Sequence, residues 1–431
     1  MPDTIHSVAA KSLRGTIYVP GDKSISHRAL IFAAIAEGVS EIVGFLAAED
    51  CLATMQALMR LGVSIEVGDN LMRVRGYRNG LHSLEQPIDL ANSGTAMRLL
   101  TGLLAGKKIS VTLNGDASLN RRPMRRVVDP LLKMGAQIRT SQQGTPPVII
   151  EPAEQLHGVY TELLVASAQV KSALLLAGLD AQGETVVVEP ALSRDHSERM
   201  LSCFGCRIIR HGLSVRVVGG DRLQAARIIV PGDISSATFL IIAATLIANS
   251  DLVIEQVGLN ETRLGALRIL RAMGADIEVL KQNIVCQEPV GDLRIRSATL
   301  SGIEIPIDWV PSAIDEFPAL FIAAACAEGH TYLRGAKELR VKESDRIATM
   351  AEGLQACGIA VEVYDDGIAI EGGRLKGATV DSRGDHRVAM AFAVAGAVAE
   401  QTISIQRCQN IDTSFPNFVQ VANTIGLKLS H

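Results

Sequence analysis

Six stretches of this chain share one pattern, in which an apolar helical run ends in glycine and passes directly into a strand. They are "LMRLGVSIEV", "LLKMGAQIRT", "LSCFGCRIIR", "LRAMGADIEV", "LQACGIAVEV" and "ANTIGLKLSH". The glycines, Gly62, Gly135, Gly205, Gly274, Gly358 and Gly426, recur at roughly 70 to 85 residues, a period that marks an internal structural repeat. Glycine is the residue that accepts the left-handed backbone closing a helix, so each of these points predicts a helix C-cap. After the first five, period-two alternation around a turn predicts a hairpin, as in "VSIEVGDNLMRVRG" and "IAVEVYDDGIAIEG". A linker strand follows each hairpin, several carrying Leu-x-Gly ("SLRG", "QLHG", "TLSG", "RLKG"), and then comes a helix rich in Ala and Leu. Each unit therefore reads strand–helix–strand–helix–hairpin. The fold class is α/β.

The sixth unit stops at "IGLKLSH", lacking a hairpin partner and a linker strand, and the N-terminal segment "HSVAAKSLRGTIYV" offers both. That closure predicts two domains of three units each, residues 1–19 with 232–431 and residues 20–231. The tetrapeptide "VPGD" occurs at Val19–Asp22 and again at Val230–Asp233, where the chain is expected to leave one domain for the other. Only these two segments are expected to connect the domains.

Composition narrows the function. Charged residues are 20% of the chain, the net charge is −4 and aromatics are 3%. This argues against nucleic acid and membrane surfaces as partners. The seven cysteines are scattered. Cys203 and Cys206 have CxxC spacing but no second pair or histidine cluster, so core packing is favoured over a metal. No apolar run reaches about 18 residues and "MPDTIHSVAAKSLRG" has no apolar leader core, which together predict a cytoplasmic chain.

The chemistry is concentrated at the openings of the Ala/Leu-rich helices. Lys23, Ser24 and Arg28 share the first, and Asn92, Ser93, Gly94, Thr95 and Arg98 the second. Ser167, Gln169 and Lys171 share the third, Asp315 and Glu316 mark the fifth, and Asp385, His386 and Arg387 the sixth. The fourth, "DISSATFLII", is bland. Ordinary N-capping explains the Ser, Asn and Asp, but not lysines and arginines in a first turn, which the helix dipole disfavours. Helix N-termini reinforced by cations bind anions. More cations stand before the second helices, in "LNRRPMRRVVDPL", "SRDHSERM" and "RVKESDRIATM". A ligand with several phosphates or carboxylates is implied. Neither GxxxxGK[ST] nor a strand-borne GxGxxG is present. Asp315, Glu316, Glu343 and Asp345 could hold Mg²⁺, but Lys342 and Arg346 flank two of them, which favours acid–base work over a metal.

At these residues the chain resembles the 5-enolpyruvylshikimate-3-phosphate synthase family over essentially its whole length. The segments that carry the resemblance are "GDKSISHRA", "NSGTAMR", "RRPM", "SAQVKSALLLAG", "IDEFPAL", "RVKESDR" and "GDHRVAMAF". "SAQVKS", "SRDH" and "RVKESDR" together look like its second, divergent class. The resemblance implies two domains, each of three α/β units around a pseudo-threefold axis (the inside-out α/β barrel of the enolpyruvyl transferases), with the active site in the cleft between them. It implies transfer of the enolpyruvyl group of phosphoenolpyruvate to the 5-hydroxyl of shikimate 3-phosphate, with phosphate released, on the route to chorismate and the aromatic amino acids. A cytoplasmic monomer without metal or cofactor, and a glyphosate target, is the implied enzyme.

Carried over by position, Lys23, Ser24, Arg28, Ser167, Gln169, Ser193, Arg194, Asp315 and Lys342 would hold shikimate 3-phosphate. Lys23, Gly94, Arg122, Gln169, Arg346 and Arg387 would hold phosphoenolpyruvate. Asp315 would take the hydroxyl proton, and Glu343 or Lys23 would protonate the methylene carbon. The chain departs from the common pattern at Thr413, where many members have lysine, and at Glu338, where asparagine is common. UDP-N-acetylglucosamine enolpyruvyl transferase shares the architecture and donor, but there asparagine follows the lysine and a loop cysteine is used. Here Ser24 follows Lys23 and "LNRRPM" has no cysteine. A catalytically silent repeat scaffold is the alternative outside the enzymes; it predicts no clustering of ionisable groups at equivalent helix starts.

Overall fold

A computed structural model describes residues 3–77 and 80–431; Met1, Pro2, Arg78 and Asn79 lie outside the described residues. The chain divides into two compact units. One holds the residues up to Pro20 together with 231–283 and 289–431, the other holds 21–230 and 284–288.

In the unit built on 21–230, three helices, Lys23–Ile35, Gly94–Ala105 and Ala168–Gly178, form the centre, the second packing on both others. They are apolar nearly all round, and every residue from Ile25 to Ile35 is buried. A helix of that composition is stable only when surrounded. Around them stand the helices Glu49–Arg60, Arg125–Lys133 and His196–Cys203, which bury a single face; the first buries Cys51, Ala53, Thr54, Ala57 and Leu58. Three four-stranded sheets cover the outside. Each has the same plan, a linker strand parallel to its neighbour and an antiparallel hairpin beyond.

The other unit repeats this plan. Ile234–Leu246, Phe317–Ala325 and His386–Gly396 pack on one another, and all residues from Ile234 to Thr245 are buried. Its sheets are Arg14–Tyr18 beside Asp251–Gly258 with the hairpin Asp276–Val285/Glu288–Arg296, a three-stranded sheet around Gly367–Glu371, and a sheet containing Thr4–Val8. In the three-stranded sheet the linker is reduced to two parallel bridges, Ser301–Glu328 and Glu304–Tyr332. Thr4–Val8 lies antiparallel between Ile403–Gln406 and Lys428–Ser430, so the first strand of the chain completes the last hairpin. All six repeat glycines have positive φ, between 83° and 115°, which is why a side chain is excluded there.

Two features depart from a strictly sequential repeat. The strand Arg14–Tyr18 precedes the Lys23 helix in sequence but pairs in parallel with Asp251–Glu255 in the other unit. The first sheet takes Arg227–Ile229 as its linker instead. The linkers are exchanged because each ring of three units closes only when its own ends meet. The second departure corrects the expectation of two connections. The tip of the long hairpin, residues 284–288, belongs with the 21–230 unit, where Glu288 Oε1 lies 2.7 Å from His196 Nδ1 and Arg199 donates to the Gln287 carbonyl at 2.6 Å. The seven cysteines are free, and Cys203 hydrogen-bonds with Cys286 on that tip, not with its CxxC partner. Among the described residues no helix is long and apolar enough to cross a membrane.

One buried residue makes stability sensitive to pH. His27, on the Lys23 helix, is fully buried with Nδ1 2.7 Å from Thr54 Oγ1. Burial pushes its pKa from 6.5 down to about 3. Because the folded value is depressed, the unfolded chain binds the extra proton between these values, and stability falls as pH drops below the ordinary value. Between pH 7.5 and 5 the wild type is expected to lose about 2 kcal/mol more than His27→Asn. Denaturant unfolding at the two pH values checks this; equal losses in both proteins would refute it.

Candidate active site

Lys23 is the first residue of its helix, whose N-cap Asp22 accepts from the Ile25 N–H at 2.9 Å. Its ammonium, mostly buried, pairs with Asp50 at 3.0 Å. One turn on, the Arg28 guanidinium is fully engaged by neutral groups. Nε donates to Ser197 Oγ at 2.7 Å, Nη2 to Ser172 Oγ at 2.9 Å, and Nη1 to the Ser24 carbonyl at 3.0 Å. Burial lowers the Arg28 pKa to about 10, so it stays charged at neutral pH with hydroxyls, not carboxylates, as its direct partners. A cation held in this way retains attraction for an incoming anion.

Ser167 is the N-cap of the third helix, its oxygen 3.4 Å from the Val170 N–H, so the hydroxyl proton remains free to be donated outward. Gln169 bridges to the second helix, accepting from Arg98 at 2.5 Å and donating to Thr95 at 2.9 Å. Gly94 opens that second helix, and a Cβ built there would lie 3.0 Å from Arg122 Nη1 and 3.1 Å from Arg98 Nη1. Backbone and guanidinium tips thus meet closely, and a methyl fits only if the tips give by a few tenths of an ångström. In "RRPMRR" only Arg122 is half-buried, hydrogen-bonded to Asn92, while Arg121, Arg125 and Arg126 are exposed. Pro123 does not open the helix, which starts at Arg125. Ser193 donates to Glu189, and Arg194 adds its charge to the field around Arg28.

The other unit gathers Asp315, Lys342, Glu343, Arg346 and Arg387 into one cluster. Asp315 Oδ1 lies 3.4 Å from Lys342 Nζ and 3.7 Å from Arg346 Nη1. Arg387 donates to the Asp315 carbonyl at 3.0 Å and lies 3.7 Å from Glu316. Arg346, 1% exposed, pairs through Nε with Asp385 at 2.8 Å and through Nη2 with Glu343 at 2.7 Å. Its Nη1 makes no hydrogen bond. Burial opposes the charge of Arg346, but Asp385, Glu343 and Asp315 outweigh it and raise its pKa above the ordinary value.

The four acids weighed for a metal are engaged separately. Asp345 accepts the Ala348 N–H at 3.0 Å and pairs with Arg340 at 2.8 Å, while Glu316 takes the Ser235 hydroxyl. Glu338 pairs with Lys342 at 2.7 Å, and the Thr413 hydroxyl donates to the Asn410 carbonyl at 2.6 Å.

Several partners escape a reading of the sequence. Asp50, Glu189, Glu198, Ser172 and Ser197 hold the cations and hydroxyls named above, yet in the chain they look like ordinary first-turn acids, an acid just after a strand, and small helix residues. Only Lys171, a cation inside an apolar helix, signals that a buried carboxylate must exist.

The chain is similar to known proteins over its whole length. The model of the family described as EPSP synthase (3-phosphoshikimate 1-carboxyvinyltransferase) matches residues 8–422. A protein of Nitrosococcus oceani named 3-phosphoshikimate 1-carboxyvinyltransferase is 54% identical over 433 residues, covering 100% of this chain and 98% of that protein. One of the same name from Methylococcus capsulatus is 56% identical over 420 residues, 97% of this chain and 96% of the other. The solved structure of EPSP synthase from Acinetobacter baumannii superposes with a TM-score of 0.91 at 48% identity, covering 99% of this chain and 100% of that one. The repeated α/β units, the cation-lined helix openings and these full-length likenesses lead to one conclusion: the chain belongs to the EPSP synthase family.

Proposed function

We infer that this chain transfers the enolpyruvyl group of phosphoenolpyruvate to the 5-hydroxyl of shikimate 3-phosphate and releases phosphate. The observation that carries the reading is Asp315, a carboxylate with Lys342 and Arg346 within 4 Å and Arg387 on its own carbonyl. Two cations that close stabilise the ionised carboxylate, the form that accepts a proton. The acceptor is held by Lys23, Ser24, Arg28, Ser167, Gln169, Ser193 and Arg194 from one domain and by Asp315 and Lys342 from the other. The donor takes Lys23, Gly94, Arg122 and Gln169 together with Arg346 and Arg387.

Asp315 accepts the proton of the 5-hydroxyl while Glu343 or Lys23 protonates the methylene carbon of the donor. The hydroxyl oxygen bonds to the cationic C2, giving a tetrahedral adduct; the methyl group then returns a proton and the C–O bond to phosphate breaks. Arg346 now fixes Glu343 as a carboxylate partner. A donor anion that recruits Arg346 loosens that pairing and lets Glu343 carry a proton. Oriented cations stabilise the departing phosphate throughout. A cytoplasmic monomer completes the reading.

Phosphate release measured with phosphoenolpyruvate and each acceptor in turn tests it. Turnover is expected with shikimate 3-phosphate and none with UDP-N-acetylglucosamine; the reverse, or no turnover with either, overturns it. Gly94 supplies a finer prediction. A methyl at Gly94 meets only the flexible tips of Arg122 and Arg98, which can give by tenths of an ångström. Gly94→Ala is therefore expected to raise the KM for phosphoenolpyruvate modestly and the inhibition constant of glyphosate, which resembles the donor but reaches further, by a larger factor. Equal factors in steady-state inhibition assays would place Gly94 away from that boundary.

A further inference from the structure

Lys171 is 1% exposed, in the first turn of the Ala168–Gly178 helix, and has no part in the chemistry above. Its ammonium lies 2.7 Å from Glu189 Oε2 and 2.8 Å from Glu198 Oε1. Both carboxylates are almost fully buried, and neither Glu198 oxygen makes a well-aligned hydrogen bond, so its charge rests on the ion pair. Glu189 has its other oxygen on the Ser193 hydroxyl. Glu198 is the carboxylate that contributes most to the field at Arg28, and its neighbour Ser197 grips Arg28 directly and meets Ser172, the neighbour of Lys171, at 2.6 Å. Two negative charges thus stand beside groups assigned above to the acceptor, Glu189 at Ser193 and Glu198 near Arg28.

A hydroxyl has one proton, and in the ligand-free protein Ser193 gives it to Glu189. To bind a phosphate it must turn that proton outward, next to a carboxylate that repels the ligand. Among the described residues Lys171 is the cation that forms an ion pair with both carboxylates.

We propose that Lys171 is a positioning residue that cancels the charge of Glu189 and Glu198, keeping the Ser193–Arg28 region attractive to the dianionic phosphate of the acceptor without touching it. The proposal rests on the acceptor-site reading given above. Without Lys171, Glu198 competes for Arg28 as an internal anion and Glu189 sets an uncompensated charge beside Ser193. The deficit falls chiefly on the acceptor, because Lys23 is the one cation the donor assignment shares with it.

The test is steady-state kinetics on the full chain, with circular dichroism to confirm folding. Lys171→Met is expected to raise the KM for shikimate 3-phosphate at least 10-fold while the KM for phosphoenolpyruvate stays within about 2-fold. Adding Glu189→Gln, which removes one uncompensated charge, is expected to recover most of that loss. A double variant no better than Lys171→Met, or a donor KM that rises in step, overturns the proposal. Glu189→Gln alone decides the matter even where Lys171→Met does not fold. Charge cancellation predicts an acceptor KM equal to or below the wild type, and a 10-fold rise would show that Glu189 serves the site as a hydrogen-bond acceptor instead. Ser193→Ala and Arg28→Gln separate the levels. If neither raises the acceptor KM, the site assignment fails and this proposal with it; if both do and Lys171→Met does not, only this proposal fails.

Discussion

Asp315→Ala is expected to lower kcat by 10²–10⁴-fold or more, with the protein still folded. The range of about 10²–10⁴ is what removal of a general base costs; a loss beyond it follows if the acceptor's orientation goes with it. The geometry explains why no neighbour substitutes. Glu343 is held by Arg346 and Glu316 by Ser235, and the groups nearest the vacated position, Lys342 and Arg346, are cations that cannot accept a proton. Asp315→Asn is a useful companion. It keeps the shape but leaves Lys342 and Arg346 without their anion, so a fall in kcat as large as that of the alanine variant ties the loss to the charge. Near-wild-type turnover in folded Asp315→Ala would remove Asp315 from the mechanism.

Arg346→Met is expected to cost about 3–5 kcal/mol of folding stability, besides activity. Arg346 and Asp385 are both essentially without solvent contact, and Asp385 also accepts from Ser344 at 3.1 Å and caps the last core helix through the Arg387 N–H at 2.9 Å. Removing the arginine leaves a buried carboxylate unpaired, which is more costly than never having had the pair. The pH dependence gives a second reading. Burial works against the ionised form of Asp385, yet Arg346 outweighs it and holds the carboxyl below its usual range. A depressed carboxylate contributes stability above its unfolded pKa, lost as pH falls through the folded value. Without Arg346 the largest opponent of that burial effect is gone, so Asp385 takes up a proton more readily and the deficit of the variant shrinks as pH is lowered toward 5. Denaturant unfolding at pH 7.5 and 5 checks both points. A loss under about 1 kcal/mol at pH 7.5 would show that Asp385 finds another partner. Arg346→Met/Asp385→Asn is expected to recover part of the stability and none of the turnover.

The candidate site was legible to different depths. Lys23, Arg28, Arg122 and Arg387 stand out in the chain because a cation in or beside a first helical turn works against the dipole, and that anomaly is local. The carboxylates and hydroxyls that hold those cations carry no such mark. Asp50 and Glu198 sit in first turns, where acids are expected anyway, and Ser172 and Ser197 are small residues on helices. The partner of Lys171 was predictable as a type, a buried anion, but not as Glu189 and Glu198. Cys203 shows the limit from the other side, since the sequence favoured core packing for it and gave no sign of its contact with Cys286.

By itself the sequence determined the α/β repeat, its six glycine-capped helices and the crowding of ionisable groups at helix openings. These depend on apolar period, on positive φ and on caps, all set within a few residues of chain. Only the tertiary structure decided the pairings across long separations. Arg28 meets Ser172 and Ser197 at 144 and 169 residues, and Arg346 meets Asp385 at 39. Arg14–Tyr18 joins Asp251–Glu255 and not the sheet of the helix it precedes, and the hairpin tip 284–288 crosses to the other unit. Pattern along the chain says which face of an element must be buried, but any apolar face satisfies it. Which partner is chosen depends on closing each ring of three units and on finding every buried charge its counter-charge, and those conditions exist only in three dimensions.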